Sequence, residues 1–149
     1  LLNMKYIVYT DGSYRASRKQ GGYSAVFYDS DMNLIKYIFK GIKNTTNNRC
    51  ELMGFISALK HLPFNSEVVI YSDSEYVLNP IKKGWIYNWI KTNFKDKKNE
   101  DLWREVIDLL PHYKLSLEWV KGHEEDEGNN FADMLAQHSS LIDLKDNED

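Results

Sequence analysis

The sequence predicts an α/β domain with a five-stranded mixed sheet, three antiparallel strands followed by two parallel ones, and helices on both faces. Three short β-branched and aromatic stretches lie in the first 42 residues, joined by short polar connections, a pattern typical of an antiparallel meander. Amphipathic helix patterns then alternate with two further strands. That order predicts a mixed sheet rather than a purely antiparallel one.

The predicted strands are bounded by turn residues. The first begins at Tyr6 and closes at Asp11-Gly12-Ser13, a turn signal that would bring Asp11 to the carboxyl end of the strand. The fourth is nearly continuous in apolar residues, as expected for a strand covered on both faces, and Asp73 follows it. The second to fifth strands are predicted over residues 23–28, 34–42, 67–72 and 114–120.

Helix signals occupy the segments between the later strands. Side chains of residues 44–48 can cap free N–H groups, so a helix is predicted over 47–62. Further helices are predicted over 74–82, 85–90 and 101–110, and the last starts at Asn129 or Asn130. In that last helix Phe131, Met134, Leu135 and His138 share a face. Trp103 and Trp119 are assigned to the core.

The composition is typical of one globular domain. The 149 residues are 42% hydrophobic and 28% charged, and no apolar run approaches the roughly 20 residues that a membrane span needs. Residues 1–5 lack the layout of a signal peptide, and the single cysteine, Cys50, excludes an internal disulfide. We therefore expect one domain over residues 1–149, frayed at 1–4 and 141–149, in a reducing cytoplasm.

The charges are unevenly distributed, although the net charge is only −3. A lysine-rich arm, residues 82–98, contains a single acid, Asp96, and six lysines: Lys82, Lys83, Lys91, Lys95, Lys97 and Lys98. Lysines can contact backbone phosphates without reading base sequence. A polyanionic phosphate substrate would account for the arm.

Four carboxylates are the candidate chemical groups. Asp11 and Asp73 follow two strands whose carboxyl ends would meet at one edge, and Glu51 and Asp133 lie on helices beside the sheet. Taken singly, each has an ordinary interpretation as a turn residue or a solvated helix acid. Together they would repel and raise each other's pKa values, which divalent cations relieve. All-oxygen sites suit Mg²⁺ or Mn²⁺, and two such ions can promote phosphodiester cleavage.

Short motifs follow one another along the chain in an informative order. They are Tyr9-Thr10-Asp11-Gly12-Ser13, Gly21-Gly22-Tyr23, Thr45-Thr46-Asn47-Asn48-Arg49-Cys50-Glu51-Leu52-Met53, Ser72-Asp73-Ser74, Trp85-Ile86-Tyr87-Asn88-Trp89, Asp101-Leu102-Trp103 and Trp119-Val120-Lys121-Gly122-His123, followed by Asp133. In this order and spacing the chain resembles a type 1 ribonuclease H of the bacterial kind over about residues 5–140.

The resemblance implies the ribonuclease H-like fold and hydrolysis of the RNA strand of an RNA–DNA hybrid, leaving 3′-hydroxyl and 5′-phosphate ends. It implies two Mg²⁺ ions, or Mn²⁺, at a metal-binding tetrad formed by Asp11, Glu51, Asp73 and Asp133. His123 matches a loop histidine that moves protons or helps the product leave, and a pKa near neutrality suits either role. On the residues alone, His123 is an ordinary loop histidine.

The resemblance also implies substrate contacts. Asn47 and Asn48 match positions that touch 2′-hydroxyls in the minor groove, although both can also serve as helix caps. Thr46 and Asn99 match a pocket for a DNA-strand phosphate, and Trp85 matches an aromatic side chain that packs on DNA sugars. The remaining predicted substrate contacts are Gly12, Ser13 and Glu75.

Departures from the family's pattern concern the substrate contacts. Glu75 stands where bacterial relatives often have Gln, and Arg15-Ala16-Ser17 replaces a Gly-Asn-Pro-Gly-like loop. The lysine-rich arm is shorter than in the best-known bacterial members, and Asn44 stands where some relatives place Arg. These departures affect the expected affinity for substrate and leave the catalytic inference intact.

Three other interpretations remain open at this stage. The first is a catalytically silent nucleic-acid-binding module on the same fold, which the presence of all four acids disfavours. The second is an ATP-binding domain of the actin or hexokinase type, which the lysine-rich arm and the His123 loop disfavour. The third is the ribonuclease H part of a polymerase, which the self-contained length disfavours. A monomer is the expected state.

Overall fold

The computed structural model describes residues 4–121 and 126–144. Within them the predicted five-stranded mixed sheet is confirmed, with the strand order β3-β2-β1-β4-β5. The strands are β1 (Lys5–Arg15), β2 (Gln20–Tyr28), β3 (Leu34–Lys43), β4 (Glu67–Ser72) and β5 (Lys114–Trp119). β1, β2 and β3 pair antiparallel, whereas β4 pairs parallel with both β1 and β5.

Helices cover both faces of the sheet. They are α1 (Asn47–Lys60), α2 (Glu75–Lys82), α3 (Trp85–Lys91), α4 (Glu100–Leu109) and α5 (Glu127–Ser139), with a 3₁₀ turn at Leu110–His112 after α4. Gly84, with a left-handed φ of 76°, separates α2 from α3. No helix among the described residues is both long and apolar enough to cross a membrane.

Two apolar clusters hold the layers together because side chains alternate along β1. Val8 points into the larger cluster, which α1 and α4 close with residues such as Phe55 and Trp103. Tyr9 points to the opposite face, where it packs with Val26 and with Ala132 and Leu135 of α5. The sheet therefore fixes α1 and α5 on opposite sides of β1.

The sequence prediction that β1 closes at Asp11-Gly12-Ser13 is wrong, because β1 continues to pair with β2 as far as Arg15. Gly12 allows close packing of a helix on the strand instead of forming a turn. A Cβ on this residue would lie 2.5 Å from the backbone nitrogen of Glu51. The glycine lets the backbone of α1 pack directly against β1, and Asp11 lies within the strand rather than at its end.

α5 packs on the sheet mostly through small residues, together with Leu135 from the face that Phe131, Met134, Leu135 and His138 share. Its buried residues are Gly128, Asn129, Ala132, Leu135, Ala136 and Ser139, whereas Met134 is 56% exposed. A Cβ on Gly22 of β2 would lie 2.7 Å from the carbonyl oxygen of Ala136. Close backbone approach therefore decides which face of α5 is buried.

The two tryptophans assigned to the core have different environments. Trp103 is fully buried, as expected, but Trp119 is 48% exposed, so its assignment to the core is wrong. Trp119 ends β5, which within the described residues pairs with β4 alone and so lies at the edge of the sheet. An edge strand has a neighbouring strand on one side only, so a side chain at its end is less covered.

Candidate active site

Three of the four predicted carboxylates converge on one point. Asp11, Glu51 and Asp73 each offer a ligand oxygen, and these oxygens all lie within 4.8 Å of one another. Asp11 and Glu51 are buried, with 4% and 9% of their surface exposed, and Asp73 is half-buried. Two of the three carboxylates in the cluster are therefore buried in the protein.

The strand register explains why two aspartates meet. The parallel pairing of β1 with β4 ends at Tyr9 opposite Tyr71, so Asp11 and Asp73 each lie two residues beyond the last paired position. The backbone N–H of Gly12 donates to Oδ1 of Asp11 at 2.9 Å and orients that carboxylate. Glu51 joins them because Gly12 lets α1 come close to β1.

Asp133 approaches the cluster from α5. A side-chain hydrogen bond and the charge of Asp133 both act on the carboxyl group of Asp11. Gln137, one turn further along α5, donates from Nε2 to Oδ2 of Asp133 at 2.8 Å. Because α5 starts at Glu127, with Asp126 as its cap, Asp133 lies in the middle of the helix.

Burial and mutual repulsion raise the pKa values of two of these acids. Desolvation is the largest cause of the raised pKa of Asp11, followed by the charges of Glu51 and Asp73. Desolvation also raises the pKa of Glu51 most, and Asp73 adds to the effect. One hydrogen bond joins the two carboxyl groups and acts against burial, because it lowers the pKa of Glu51.

The donor set fits a hard divalent cation. All the candidate ligand atoms are carboxylate oxygens, which suit Mg²⁺, Mn²⁺ and Ca²⁺ better than thiolate-binding metals. A cation would also remove the repulsion that burial imposes on these acids. The residues present therefore fit the divalent metal that the sequence led us to expect.

The predicted minor-groove residues lie beside this cluster, at the start of α1. Asn47 and Asn48 are exposed in the first turn, and Asn48 lies one helical turn before Glu51. Thr46 is the N-cap of α1, and its hydroxyl accepts a hydrogen bond from the backbone N–H of Arg49 at 3.2 Å. Thr46 is thus both the cap of α1 and a predicted substrate contact, next to Asn47 and Asn48.

A groove of about 530 Å³ is lined by residues close in the chain to two of the carboxylates. Asn48 lies three residues before Glu51, and Glu75 lies two residues after Asp73. Trp85, 43% exposed, lines it together with Lys97 and Lys98 of the lysine-rich arm. The groove therefore brings several predicted substrate contacts onto one surface.

Asn99 lies in this groove with its side-chain amide already engaged. Its Nδ2 donates to the hydroxyl of Tyr76 at 2.8 Å, and its Oδ1 accepts from Nη1 of Arg49 at 3.2 Å. Arg49 also makes a two-pronged ion pair with Asp101, at 3.0 and 2.8 Å. These bonds tie the start of α1 to the start of α4 across the groove.

The remaining predicted residues are more scattered. His123 lies outside the described residues. Ser13 is half-buried within β1, where it pairs with Gly22. Arg15 is the last residue of β1 rather than a loop residue, and its Nε donates to Oγ of Ser140 just after α5, at 3.3 Å. The Arg15-Ala16-Ser17 segment thus contacts the carboxyl end of α5 instead of the carboxylate cluster.

Comparison with known proteins agrees with this arrangement. A family model described as RNase H matches residues 3–140. The chain belongs to the ribonuclease H family. Nucleases of this family are hydrolases that depend on divalent metal, so the expectation of an enzyme is confirmed, and the acidic cluster is a candidate site for such a metal.

Several similar sequences are bacterial proteins named ribonuclease H. A protein named ribonuclease H from Caldicellulosiruptor saccharolyticus is 39% identical over 137 residues, which is 88% of this chain and 92% of the relative. A protein named ribonuclease HI from Synechocystis is 39% identical over 134 residues, which is 87% of this chain and 83% of the relative. The expected bacterial type of ribonuclease H is therefore confirmed.

Solved structures confirm the expected ribonuclease H-like fold. A type 1 RNase H with the type 2 active-site motif superposes with a TM-score of 0.81 at 23% identity, covering 94% of this chain and 74% of that one. The N-terminal RNase H domain of a Mycobacterium tuberculosis protein gives 0.73 at 24% identity, covering 93% and 94%. At these identities the likeness establishes the fold alone.

Two site residues of this ribonuclease H were not found from the sequence. The indole Nε1 of Trp119 donates to the backbone carbonyl of Asp73 at 3.2 Å. An exposed aromatic side chain therefore contacts the backbone of a candidate metal ligand. The hydroxyl of Tyr76 accepts from Asn99 in the groove. Both contacts depend on how α2 and β5 pack against their neighbours, and no local sequence pattern encodes them.

Proposed function

We propose that this protein is an endoribonuclease that hydrolyses the RNA strand of RNA–DNA hybrids by a two-metal mechanism, leaving 3′-hydroxyl and 5′-phosphate ends. The observation that carries the proposal is the convergence of Asp11, Glu51 and Asp73, with ligand oxygens within 4.8 Å, in a chain of the ribonuclease H family. Mg²⁺ is the proposed cofactor, and Mn²⁺ suits the same oxygen ligands.

The ligands for the two ions would be Asp11, Glu51, Asp73 and Asp133. When bound, the ions supply Lewis-acid activation of the attacking water and neutralise the charge that develops on the leaving 3′ oxygen. The chain contributes a pre-organised site, because the Gly12 N–H orients Asp11 and the α1 backbone holds Glu51.

His123 would handle protons near this site. An imidazole with a pKa near neutrality can take a proton from water or give one to the leaving group at physiological pH. The proposal for His123 rests on its place in the family motif, Trp119-Val120-Lys121-Gly122-His123. Its loss should lower kcat less than loss of a metal ligand does.

The surface beside the carboxylates supports a nucleic-acid duplex as the substrate. Asn47 and Asn48 are exposed polar groups suited to 2′-hydroxyls in a shallow minor groove. Thr46 and Asn99 would contact a DNA-strand phosphate, and Trp85 would pack on the sugars of that strand. The lysines of the arm would add phosphate contacts without sequence preference.

A cleavage assay tests the proposal. An end-labelled RNA–DNA hybrid, double-stranded RNA and double-stranded DNA are each incubated with the protein in Mg²⁺ and in EDTA. We expect cutting of only the RNA strand of the hybrid, only with metal, with 3′-hydroxyl and 5′-phosphate ends. Asp73→Asn should lower kcat/KM by at least about 100-fold, since even indirect partners of a metal are often worth 10–100-fold.

The matched control is Asp108→Asn, which removes an exposed carboxylate of α4 and should leave the rate unchanged. A folded wild-type protein that cuts nothing in Mg²⁺ or Mn²⁺ but binds the hybrid would support the silent module instead. Measurable affinity for ATP would favour the nucleotide-binding alternative.

Two further features belong to this proposal. We infer that one chain suffices for activity, because all four proposed metal ligands come from the same chain. We also infer a single ribonuclease H domain in the cytoplasm, in line with its one cysteine, Cys50, which is buried. Light scattering of the active protein, expected to give the monomer mass, tests the first inference.

A further inference from the structure

Tyr9 makes a polar contact across the sheet-to-helix interface on the α5 side. Its hydroxyl donates to Oδ2 of Asp126 at 3.2 Å. The ring is 6% exposed, stacks on Tyr71 at 4.8 Å and meets the edge of Tyr28 at 6.0 Å. Packing of the Tyr9 ring against Tyr71 and Tyr28 therefore holds the Tyr9 hydroxyl in a fixed position.

Asp126 uses its two oxygens in two different bonds. Oδ2 accepts from Tyr9, and Oδ1 accepts from the backbone N–H of Asn129 at 3.2 Å, which makes Asp126 the N-cap of α5. Gly128 lies directly on the Tyr9 ring, because a Cβ there would come within 2.7 Å of three ring atoms. The first turn of α5 is thus located by Tyr9 through a hydrogen bond and through contact.

This contact is geometrically connected to the carboxylate cluster. Tyr9 and Asp11 are two residues apart on β1 and face the same side of the sheet. Asp126 and Asp133 are about two helical turns apart, so they lie on nearly the same side of α5. Tyr9 meets Asp126 and Asp11 meets Asp133, which makes two links between the same strand and helix.

We propose that Tyr9 is a positioning residue for metal binding: its hydroxyl, acting through Asp126, fixes the start of α5 and thereby holds Asp133 beside Asp11. The inference rests on the proposed function, because it takes Asp133 as a metal ligand. Burial and the charge of Asp126 raise the pKa of the Tyr9 phenol well above its usual value, so the hydroxyl remains a donor throughout the neutral range.

The test is Tyr9→Phe, which keeps the stacked ring and removes only the hydroxyl. Mn²⁺ binding to the substrate-free protein is measured by calorimetry, and kcat and KM are measured on an RNA–DNA hybrid. We expect the Mn²⁺ dissociation constant to rise and kcat to fall, each about 3–10-fold, the loss of roughly one hydrogen bond. KM should stay within about twofold, because Tyr9 is buried away from the substrate surface.

Tyr113→Phe is the matched control. Tyr113 is buried, and its hydroxyl bonds to the carbonyl oxygens of Leu59 and Leu62 in the larger cluster. Its removal should lower the melting temperature at least as much as Tyr9→Phe does, with unchanged Mn²⁺ affinity. A fall in Mn²⁺ affinity in both variants would mean that general loosening is responsible, and would overturn the inference.

Asp126 provides a second route that does not depend on the folding of Tyr9→Phe. Asp126→Asn retains an oxygen for the Tyr9 hydroxyl and should keep Mn²⁺ affinity within about twofold, whereas Asp126→Ala should weaken it as Tyr9→Phe does. Unchanged Mn²⁺ affinity in Tyr9→Phe and Asp126→Ala overturns this inference alone. A wild-type protein that binds no Mn²⁺ overturns the proposed function, and this inference with it.

Discussion

Asp11 and Glu51 are carboxyl groups that the fold buries next to each other and next to Asp73. Their pKa values are raised, so the native state holds more protons than the unfolded chain between the usual carboxyl pKa and the raised value. Stability of the metal-free protein must therefore fall as pH rises through that interval. A metal ion that replaces the proton should restore the stability lost.

Asp11→Asn tests whether the Asp11 carboxyl, a proposed metal ligand, lowers the stability of the metal-free protein. In EDTA at pH 5 the urea midpoints of the variant and the wild type should differ less than at pH 8, because pH 5 lies only about one unit above the usual carboxyl pKa. At pH 8 the variant should be more stable by at least about 1 kcal/mol, the equivalent of one pKa unit. Saturating Mg²⁺ should reverse the order, since the variant lacks a ligand.

Urea unfolding at pH 5 and pH 8, with EDTA and with Mg²⁺, checks the expected order. Asp108→Asn, at an exposed position of α4, is the control and should show no such pH dependence. A wild-type protein whose metal-free stability rises between pH 5 and pH 8 relative to Asp11→Asn would contradict the argument. Cleavage activity of Asp11→Asn should be lost at both pH values.

At the residue scale the sequence identified three carboxylates that converge but not the contacts that orient them. Asp11, Glu51 and Asp73 could be selected because carboxylates in or after strand-forming stretches and in a capped helix form a recognisable pattern. Trp119 could not be placed, because its hydrogen bond to the Asp73 carbonyl depends on β5 pairing with β4, which puts Trp119 opposite Ser72. Strand order is a property of the whole sheet, which neighbouring residues do not encode.

At the scale of elements, glycines set the distance between helix and sheet. Because Gly12 has no side chain, the backbone of α1 at Cys50 and Glu51 can lie close to β1. In the same way, Gly22 lets the backbone at Ala136 and Ser140 lie close to β2. The atoms that an added Cβ would meet at these positions are not the ends of flexible side chains that could move aside. Each added methyl group would have to displace a helix.

Gly12→Ala and Gly22→Ala form a matched pair of strand substitutions. Both should destabilise the protein by about 1–3 kcal/mol, the usual cost of overpacking. Gly12→Ala should also weaken Mn²⁺ binding, because the displaced backbone carries Glu51, whereas Gly22→Ala should weaken it much less. Urea unfolding and calorimetry measure the two effects, and equal losses of Mn²⁺ affinity would contradict the local mechanism.

The small residues of α5 show why its buried face was harder to predict than its existence. Of the apolar residues that share a face, Leu135 is buried but Met134 is exposed, and the helix also packs through Gly128, Ala132 and Ala136. Apolar periodicity identifies large apolar side chains, whereas a helix that lies very close to a sheet needs small side chains at the contact. The elements themselves and their sequence were predictable, because propensity and turn signals are local.

At the scale of the whole molecule, charge is segregated although the net charge is small. Three acids form the carboxylate cluster, and all six lysines of the lysine-rich arm are exposed. Lys97 and Lys98 line the groove beside Trp85, so part of the arm faces the surface proposed for the hybrid. Such segregation allows a duplex to bind through its phosphates while its scissile bond lies at the carboxylates.

Salt dependence of hybrid binding measures this contribution. In an Asp73→Asn background, which prevents cleavage, the logarithm of affinity should fall linearly with the logarithm of salt concentration between 50 and 200 mM KCl. Replacing Lys97 and Lys98 by Gln should reduce the slope of that line by about 1–2. Each lysine that no longer contacts a phosphate removes about one counterion from the number released on binding. The weakening should be the same for hybrids of different sequence.

Lys5 and Lys114 provide the matched control, because they begin β1 and β5 at the end of the sheet away from Asp73. Replacing both by Gln changes the net charge by the same amount and should leave the slope unchanged, since neither lines the groove. Equal slopes for the two double variants would mean that net charge, not the position of the arm, governs binding. A reduced slope for the arm variant alone places the duplex across the groove, with its backbone running from Lys97 toward Asp73.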